Sequence, residues 1–231
     1  MAFSKLSWLL SFLWPQTLAV ITSDINGPVS VQVSFGQIYV YAGQTQQSSP
    51  WVEKIWRRGI SSLSTNTRSP RNGFGQKSIV NALILGLGCG LAAKLLSQKF
   101  PWLKIIGVEI DPVMIDITKE YFGLGDGRNL RIFKTDAQKF IRTNRSKFDL
   151  ILVDLFLGPN YPVQFEEAEF LQKLSQTLSK NGIVIFNRLT TKTSNFVPEK
   201  FIDKLAKFFK IEKTLKVDFN RLIFCSRREK R

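Results

Sequence analysis

Three glycines at alternate positions, Gly86, Gly88 and Gly90, follow an apolar run in "NALILGLGCGLAAKLL". Such a turn wants glycine because it needs backbone angles that a Cβ forbids. Glycine also lets a ligand come close to the main chain. The residues after Gly90 have a helical pattern, and the free N–H groups at a helix start favour a polar or negatively charged ligand. Alone, the loop is a weak signal. Acids closing the next apolar runs strengthen it. "WLKIIGVEID" carries Glu109, 19 residues after Gly90, where a carboxylate at a strand tip can accept both hydroxyls of a ribose. "RIFKTDAQKF" carries Asp136, placed to read an adenine amino group, to cap the next helix, or both. "KFDLILVDLF" carries Asp154. A carboxylate ending a buried apolar strand is costly unless it faces a cleft, so Asp154 is the candidate for orienting or deprotonating a substrate. Asp111, before Pro112, reads as a helix cap, and Asp149, at the opposite end of its strand, as structural.

The elements that must position these residues alternate. Strands are expected near 81–85, 104–108, 130–134, 148–154 and 182–187, and helices near 90–99, 112–122, 137–142, 166–179 and 198–209. Alternation of this kind gives βαβ units and a parallel sheet covered on both faces. Ligands bind such sheets at the carboxyl ends of the strands. "IEKTLKV" and "RLIFCSR" flank Asp218-Phe219-Asn220 with no helix between them, so the sheet ends in a hairpin with an antiparallel last strand. Upstream, "TLAVITS", "VSVQVSF" and "QIYVYAG" read as three short antiparallel strands, with turns at "DING" and Phe35-Gly36. "PWVEKIWRRGI" reads as a helix packing through Val52, Ile55, Trp56 and Ile60. The expected organisation is an amphipathic helix in 1–16, a small β subdomain plus helix in 17–60, a polar linker in 61–78 and the α/β domain in 79–231.

The 231-residue chain has 44% hydrophobic residues, enough for a sizeable core. It has no histidine, which excludes His-based triads and His-ligated metal sites; no metal is expected. Its two cysteines, Cys89 and Cys225, make no disulfide framework, and a reducing cytoplasm is the simplest compartment. Lys and Arg number 33 against 18 Asp and Glu, a formal net charge of +15. That favours anionic partners. The basic stretches do not interleave with aromatics as RNA-binding motifs do, so a solvated basic surface is preferred to a nucleic-acid site. The N-terminal apolar run imitates a signal peptide, but Pro15 and Gln16 interrupt it and it is too short to span a bilayer. A short helix over residues 4–14 docking on the protein itself is the preferred reading. Contact with a membrane surface through Trp8, Leu9, Phe12 and Trp14 is the alternative.

The four strand-end features together resemble the class I S-adenosylmethionine-dependent methyltransferases. A NAD-binding Rossmann domain would want G-x-G-x-x-G, and Leu91 stands where its third glycine belongs. "VEIDPVMIDITKEYF", "VDLFLGPNYP" and "FLQKLSQTLSKNGIVIFN", with a small β subdomain ahead of the core, resemble the spermidine synthase family. The resemblance implies a Rossmann-like seven-stranded sheet and S-adenosylmethionine, or its decarboxylated form, as cofactor. It implies cofactor contacts from Gly86, Leu87, Gly88, Cys89, Gly90, Glu109, Ile110, Asp136, Ala137 and Asp154. Gln46 matches a family glutamine near the thioether. It also implies a homodimer and a small-molecule acceptor.

Three departures fall at polyamine-recognition positions. Cys89 replaces the family's loop acid, which engages the amine end of decarboxylated S-adenosylmethionine. Leu157 replaces the second acid of the catalytic loop. Trp56-Arg57-Arg58 stands where the family has a Tyr-His-Glu-like segment, so two cations are expected to repel a polyamine. The net charge is expected to work against an acidic cleft in the same way. The reading is a spermidine synthase-like transferase, with methyl transfer ahead of aminopropyl transfer. A non-catalytic nucleoside-binding protein is a further alternative.

Overall fold

The computed structural model describes residues 4–63, 79–158, 160–190 and 198–228. The chain opens with a short helix, α1 (Lys5–Leu10), and a four-stranded antiparallel sheet in sequential order: β1 (Gln16–Ser23), β2 (Gly27–Ser34), β3 (Gln37–Ala42) and β4 (Thr45–Ser48). Helix α2 (Pro50–Ser61) follows, started by a Ser49 cap and a proline in its first turn. The second sheet has seven strands: β5 (Asn81–Leu85), β6 (Lys104–Glu109), β7 (Leu130–Lys134), β8 (Phe148–Val153), β9 (Leu178–Leu189), β10 (Phe209–Val217) and β11 (Asn220–Arg227). Their order is β10-β11-β9-β8-β5-β6-β7. The neighbours from β9 to β7 are parallel, and β11 is antiparallel to both β9 and β10. The last strand in sequence is thus antiparallel, as its hairpin requires, but it inserts between β9 and β10 rather than forming the edge. Helices α3 (Leu91–Lys99), α4 (Pro112–Phe122), α5 (Ala137–Thr143), α6 (Ala168–Thr177) and α7 (Pro198–Ala206) complete the fold. This is an α/β architecture with a mostly parallel sheet and a separate small antiparallel sheet.

The sequence dictates the layering. Ala82 to Leu85 of β5 and Leu150 to Val153 of β8 are all buried. They carry no polar alternation because helices cover both faces of the sheet. The small sheet does alternate. Val29, Val31 and Val40 face Met114 and Ile117 of α4, while Ser30, Gln32 and Tyr41 face away. Each fully buried valine contributes roughly 1.5 kcal/mol or more, so this seam fixes the small sheet over one end of the large one. Helix α2 buries Ile55, Trp56 and Ile60 among residues of the large sheet and α3 rather than under the small sheet.

Several boundaries differ from the sequence expectation. Strand β4, "TQQS", carries no apolar signal and forms only as a partner for β3. "KNG" at 180–182 reads as a turn, yet lies inside the twelve-residue β9. A Cβ at Gly182 would sit 2.8 Å from the Phe148 carbonyl oxygen, so glycine permits the two strands to approach where their register shifts. The helix expected at 166–179 is a 3₁₀ turn at Val163–Glu166 followed by α6. Helix α7 stops at Ala206 because β10 begins three residues later. Helix α1 has only six residues, its Ser4 cap accepting from the Ser7 amide. Most of the expected 61–78 linker lies outside the described residues.

Candidate active site

A cleft of about 670 Å³ opens between the small sheet with α2 and the carboxyl ends of β5, β6, β7 and β8. Ten of the eleven residues singled out from sequence border it; Gly90 does not. Gly90 takes φ +76° at the start of α3, and its missing Cβ makes room for Leu124 and Thr118 behind the loop. It shapes the turn rather than facing the cleft.

The other two glycines differ in kind. At Gly86 (φ +82°) a Cβ would lie 2.2 Å from the Asp154 carbonyl oxygen, so glycine lets β5 and β8 end side by side. At Gly88 (φ +52°) a Cβ would meet nothing within 4 Å: the space it leaves belongs to the cleft. The Gly88 carbonyl lies 2.7 Å from the Thr118 hydroxyl, and its N–H donates to Glu109 Oε2 at 2.8 Å. Cys89 points away from solvent into the seam between the small sheet and α4. Burial, with Glu109 nearby, pushes its thiol far above the usual range, so it is neutral.

Glu109 ends β6. Oε1 accepts from the Ile110 and Asp111 amides at 2.9 and 3.0 Å. Burial raises its carboxyl pKa against the lowering pull of these N–H donors. With two donors on Oε1 and one on Oε2, one acceptor position is left, on Oε2, since each oxygen can take two hydrogen bonds. Asp136 caps α5 through the Lys139 amide at 2.8 Å and also borders the cleft. Ile110 and Leu157 supply apolar wall, and Ala137 packs below. Gln46 donates to the Tyr41 hydroxyl at 3.2 Å and accepts from Ser49 at 2.9 Å, which holds its amide at the cleft rim.

Asp154 follows β8. The Trp56 indole N–H donates to Oδ2 and the Asn187 amide donates to Oδ1, each at 2.8 Å. Asn187 in turn accepts from Asn220 at 2.8 Å. Burial holds the Asp154 carboxyl above its ordinary range, and these two donors offset that only in part. The outcome is an oriented carboxyl group with one lone pair of each oxygen already engaged. Asp149, as its strand-start position implies, holds backbone: it accepts from the Val80 and Asn81 amides and the Ser179 hydroxyl.

Two expectations drawn from charge fail. Arg57 and Arg58 are exposed on the outer side of α2, and neither borders the cleft. Arg57 pairs with Glu53 on its own helix. Helical geometry turns Trp56 inward and its two successors outward, so these cations do not face a substrate. Nor does the net charge reach the cleft. Asp24, Glu109, Asp136 and Asp154 border it, and no lysine or arginine does among the described residues.

Sequence reasoning missed the hydrogen-bonding roles of Trp56, Asn187 and Asn220. Asn187 did leave a trace: an amide inside the apolar run "GIVIFNRL" must find partners when buried. Asn220 opens β11, whose pairing with β9 sets Leu222 opposite Asn187. It left no trace of its own.

A glycine turn after the first parallel strand, acids closing the next three and an antiparallel strand inserted near one edge define a Rossmann-like fold of the methyltransferase type. Residues 72–217 match the spermine/spermidine synthase domain, and the chain belongs to that family. A probable polyamine aminopropyl transferase of Bifidobacterium longum is 30% identical over 139 residues, 60% of this chain and 31% of the relative. An eEF1A lysine and N-terminal methyltransferase homolog of Drosophila melanogaster is 27% identical over 179 residues, 73% of this chain and 26% of the relative. The chain thus spans less than a third of the length of either. Among solved structures, a probable spermidine synthase from Corynebacterium glutamicum aligns with TM-score 0.66 at 14% identity, over 91% of this chain and 79% of the other. Human methyltransferase-like protein 13, in complex with SAH, aligns with TM-score 0.59 at 24% identity, over 65% and 72%.

Proposed function

We propose that the chain is an S-adenosylmethionine-dependent transferase that methylates a nitrogen nucleophile. Glu109 would hold the ribose, Asp136 the adenine and the Gly88 main chain the methionine part. The open space at Gly88, the acceptor position left on Glu109 Oε2 and a lining without lysine or arginine among the described residues all suit a cationic nucleoside cofactor. Bound there, S-adenosylmethionine supplies an electrophilic methyl group and its own leaving group. The protein's share is positioning and, at most, accepting one proton. Asp154 performs both. Trp56 and Asn187 fix the plane of its carboxylate, so a free lone pair stays aimed into the cleft and receives an N–H of the acceptor. An amine is protonated in water, and the four carboxylates favour its entry.

The observation that carries methyl over aminopropyl transfer is Cys89. It is neutral and buried where the family's aminopropyltransferases have an acid for the amine end of the decarboxylated cofactor. A neutral residue there leaves the carboxylate of full S-adenosylmethionine unopposed. One observation favours the second reading, aminopropyl transfer to a polyamine: every charged residue bordering the cleft among the described residues is acidic, which suits a polycation. Calorimetry with S-adenosylmethionine and its decarboxylated form, side by side, decides between them. Tighter binding of the full cofactor is expected, and tighter binding of the decarboxylated form overturns the proposal. Tight binding with no methyl transfer to any amine, peptide or metabolite pool would leave a nucleoside-binding protein without catalysis.

A further inference from the structure

The N-terminal segment is unlike the rest of the chain. Between residues 6 and 52 the sole charged residue is Asp24. Helix α1 and the turn after it fold onto the β2–β3 hairpin. The Phe35 amide donates to the Ser11 carbonyl at 2.9 Å, and the Gly36 amide to the Ser11 hydroxyl at 3.0 Å. Trp8 covers Gly36 and stacks edge-on with Phe12, which meets Phe35. This docking consumes only part of the apolar surface. Leu13 stays 72% exposed, Phe35 68%, Leu6 64% and Leu9 59%, with Trp14 beside them. A patch of this kind marks an interaction site rather than scattered surface. Phe35 sharpens the point: it holds φ +48° at the hairpin tip, a conformation that favours Asn or Gly. A bulky apolar side chain is kept in a strained backbone and turned to solvent.

The patch lies at the end of the molecule away from the cleft. Ser23, the last residue of β1, is hydrogen-bonded to Asp111 at the start of α4. Strand β1 packs along that helix, so its Gln16 end, with α1 before it, lies toward the finish of α4. There the parallel strands begin, and Lys104, Arg128, Arg131 and Lys147 gather around one shallow pocket. A neutral aromatic nose and a cationic cluster therefore share one end. No helix among the described residues is long enough to cross a membrane.

We infer that this end docks on an anionic lipid surface, with Leu6, Leu9, Leu13, Trp14 and Phe35 entering the headgroup boundary and the basic cluster facing acidic headgroups. Tryptophan and leucine on one face with cations nearby are what interfacial binding needs. Charge complementarity commits the occupant to an anionic lipid surface. Lys104, Arg128, Arg131 and Lys147 stand at this end, and each cation near an anionic leaflet strengthens binding about fivefold.

Flotation of the full chain with vesicles tests this. Binding to phosphatidylcholine vesicles containing about a third phosphatidylserine is expected, weaker in high salt and at least about tenfold weaker on pure phosphatidylcholine. Leu9→Glu/Leu13→Glu should abolish it with an unchanged melting transition. Lys104→Glu/Arg131→Glu should weaken binding to the anionic vesicles by at least about tenfold. Absence of binding, or binding indifferent to Leu9→Glu/Leu13→Glu, overturns the inference. So does a concentration-dependent dimer that the same double variant dissolves, since that outcome makes a second copy the occupant.

Discussion

The floor and the roof of the cleft are built by different rules. The floor is a set of strand ends. Gly86 and Gly88 follow β5, Glu109 ends β6, Asp136 follows β7 and Asp154 follows β8, so each is placed by the backbone of the sheet. The roof is the β1–β2 and β3–β4 turns with α2, and side chains tie it down: Ser23 and Asn26 to Asp111, Trp56 to Asp154. A floor set by backbone tolerates change in its neighbours. A roof held by a few polar contacts is where specificity can be rebuilt without disturbing the cofactor. The three departures from the family's polyamine pattern divide between the two: Trp56 belongs to the roof, whereas Cys89 and Leu157 lie in the loops that follow β5 and β8 on the floor.

Four substitutions sharpen or break this contrast. The largest effect belongs to Asp154→Asn, which should cost roughly 10²- to 10⁴-fold in turnover while cofactor affinity by calorimetry holds. Activity near that of the unmodified chain would remove Asp154 from the chemistry. Glu109→Ala should weaken S-adenosylmethionine binding by roughly 10- to 100-fold, and unchanged affinity would refute the ribose role. Asn187→Ala is subtler. Burial already holds the Asp154 carboxyl above the ordinary range, and the Asn187 N–H lowers it. Removing that donor favours the protonated form, so the acid limb of the rate–pH profile should move to higher pH. A limb that stays in place, or moves down, would mean Asn187 only fills space. Arg57→Glu/Arg58→Glu should be nearly silent, changing cofactor or acceptor affinity by less than about twofold, because screening isolates exposed charges outside the cleft. A large change would return those arginines to the site.

The floor was legible in the sequence and most of the roof was not. Alternate glycines and acids at the ends of apolar runs are local patterns, and a parallel sheet brings its strand ends together whatever the loops do. Gln46 was reachable only through family resemblance. Trp56 was read as a core residue of α2, and nothing local marks its indole N–H as a donor to a residue 98 positions away. The charge argument failed for a related reason. A sum over the chain says nothing of where charges lie, and among the described residues no lysine or arginine borders the cleft of this strongly basic protein. Strand β4 and the length of β9 escaped because pairing partners, not their own residues, extend them.

Asp111 has a consequence for traffic through the cleft. Its Oδ1 caps α4 at the Val113 amide, while Oδ2 accepts from Ser23 at 2.5 Å and Asn26 at 2.6 Å, all in a fully buried position. Lifting the roof at that corner would strip a buried carboxylate of two donors and leave it uncompensated, among the costlier events in a protein interior. The Asp111 corner is therefore a costly part of the roof to lift. On the other side, β4 and α2 carry Gln46, held by Tyr41 and Ser49, and Trp56, whose single indole N–H ties α2 to Asp154.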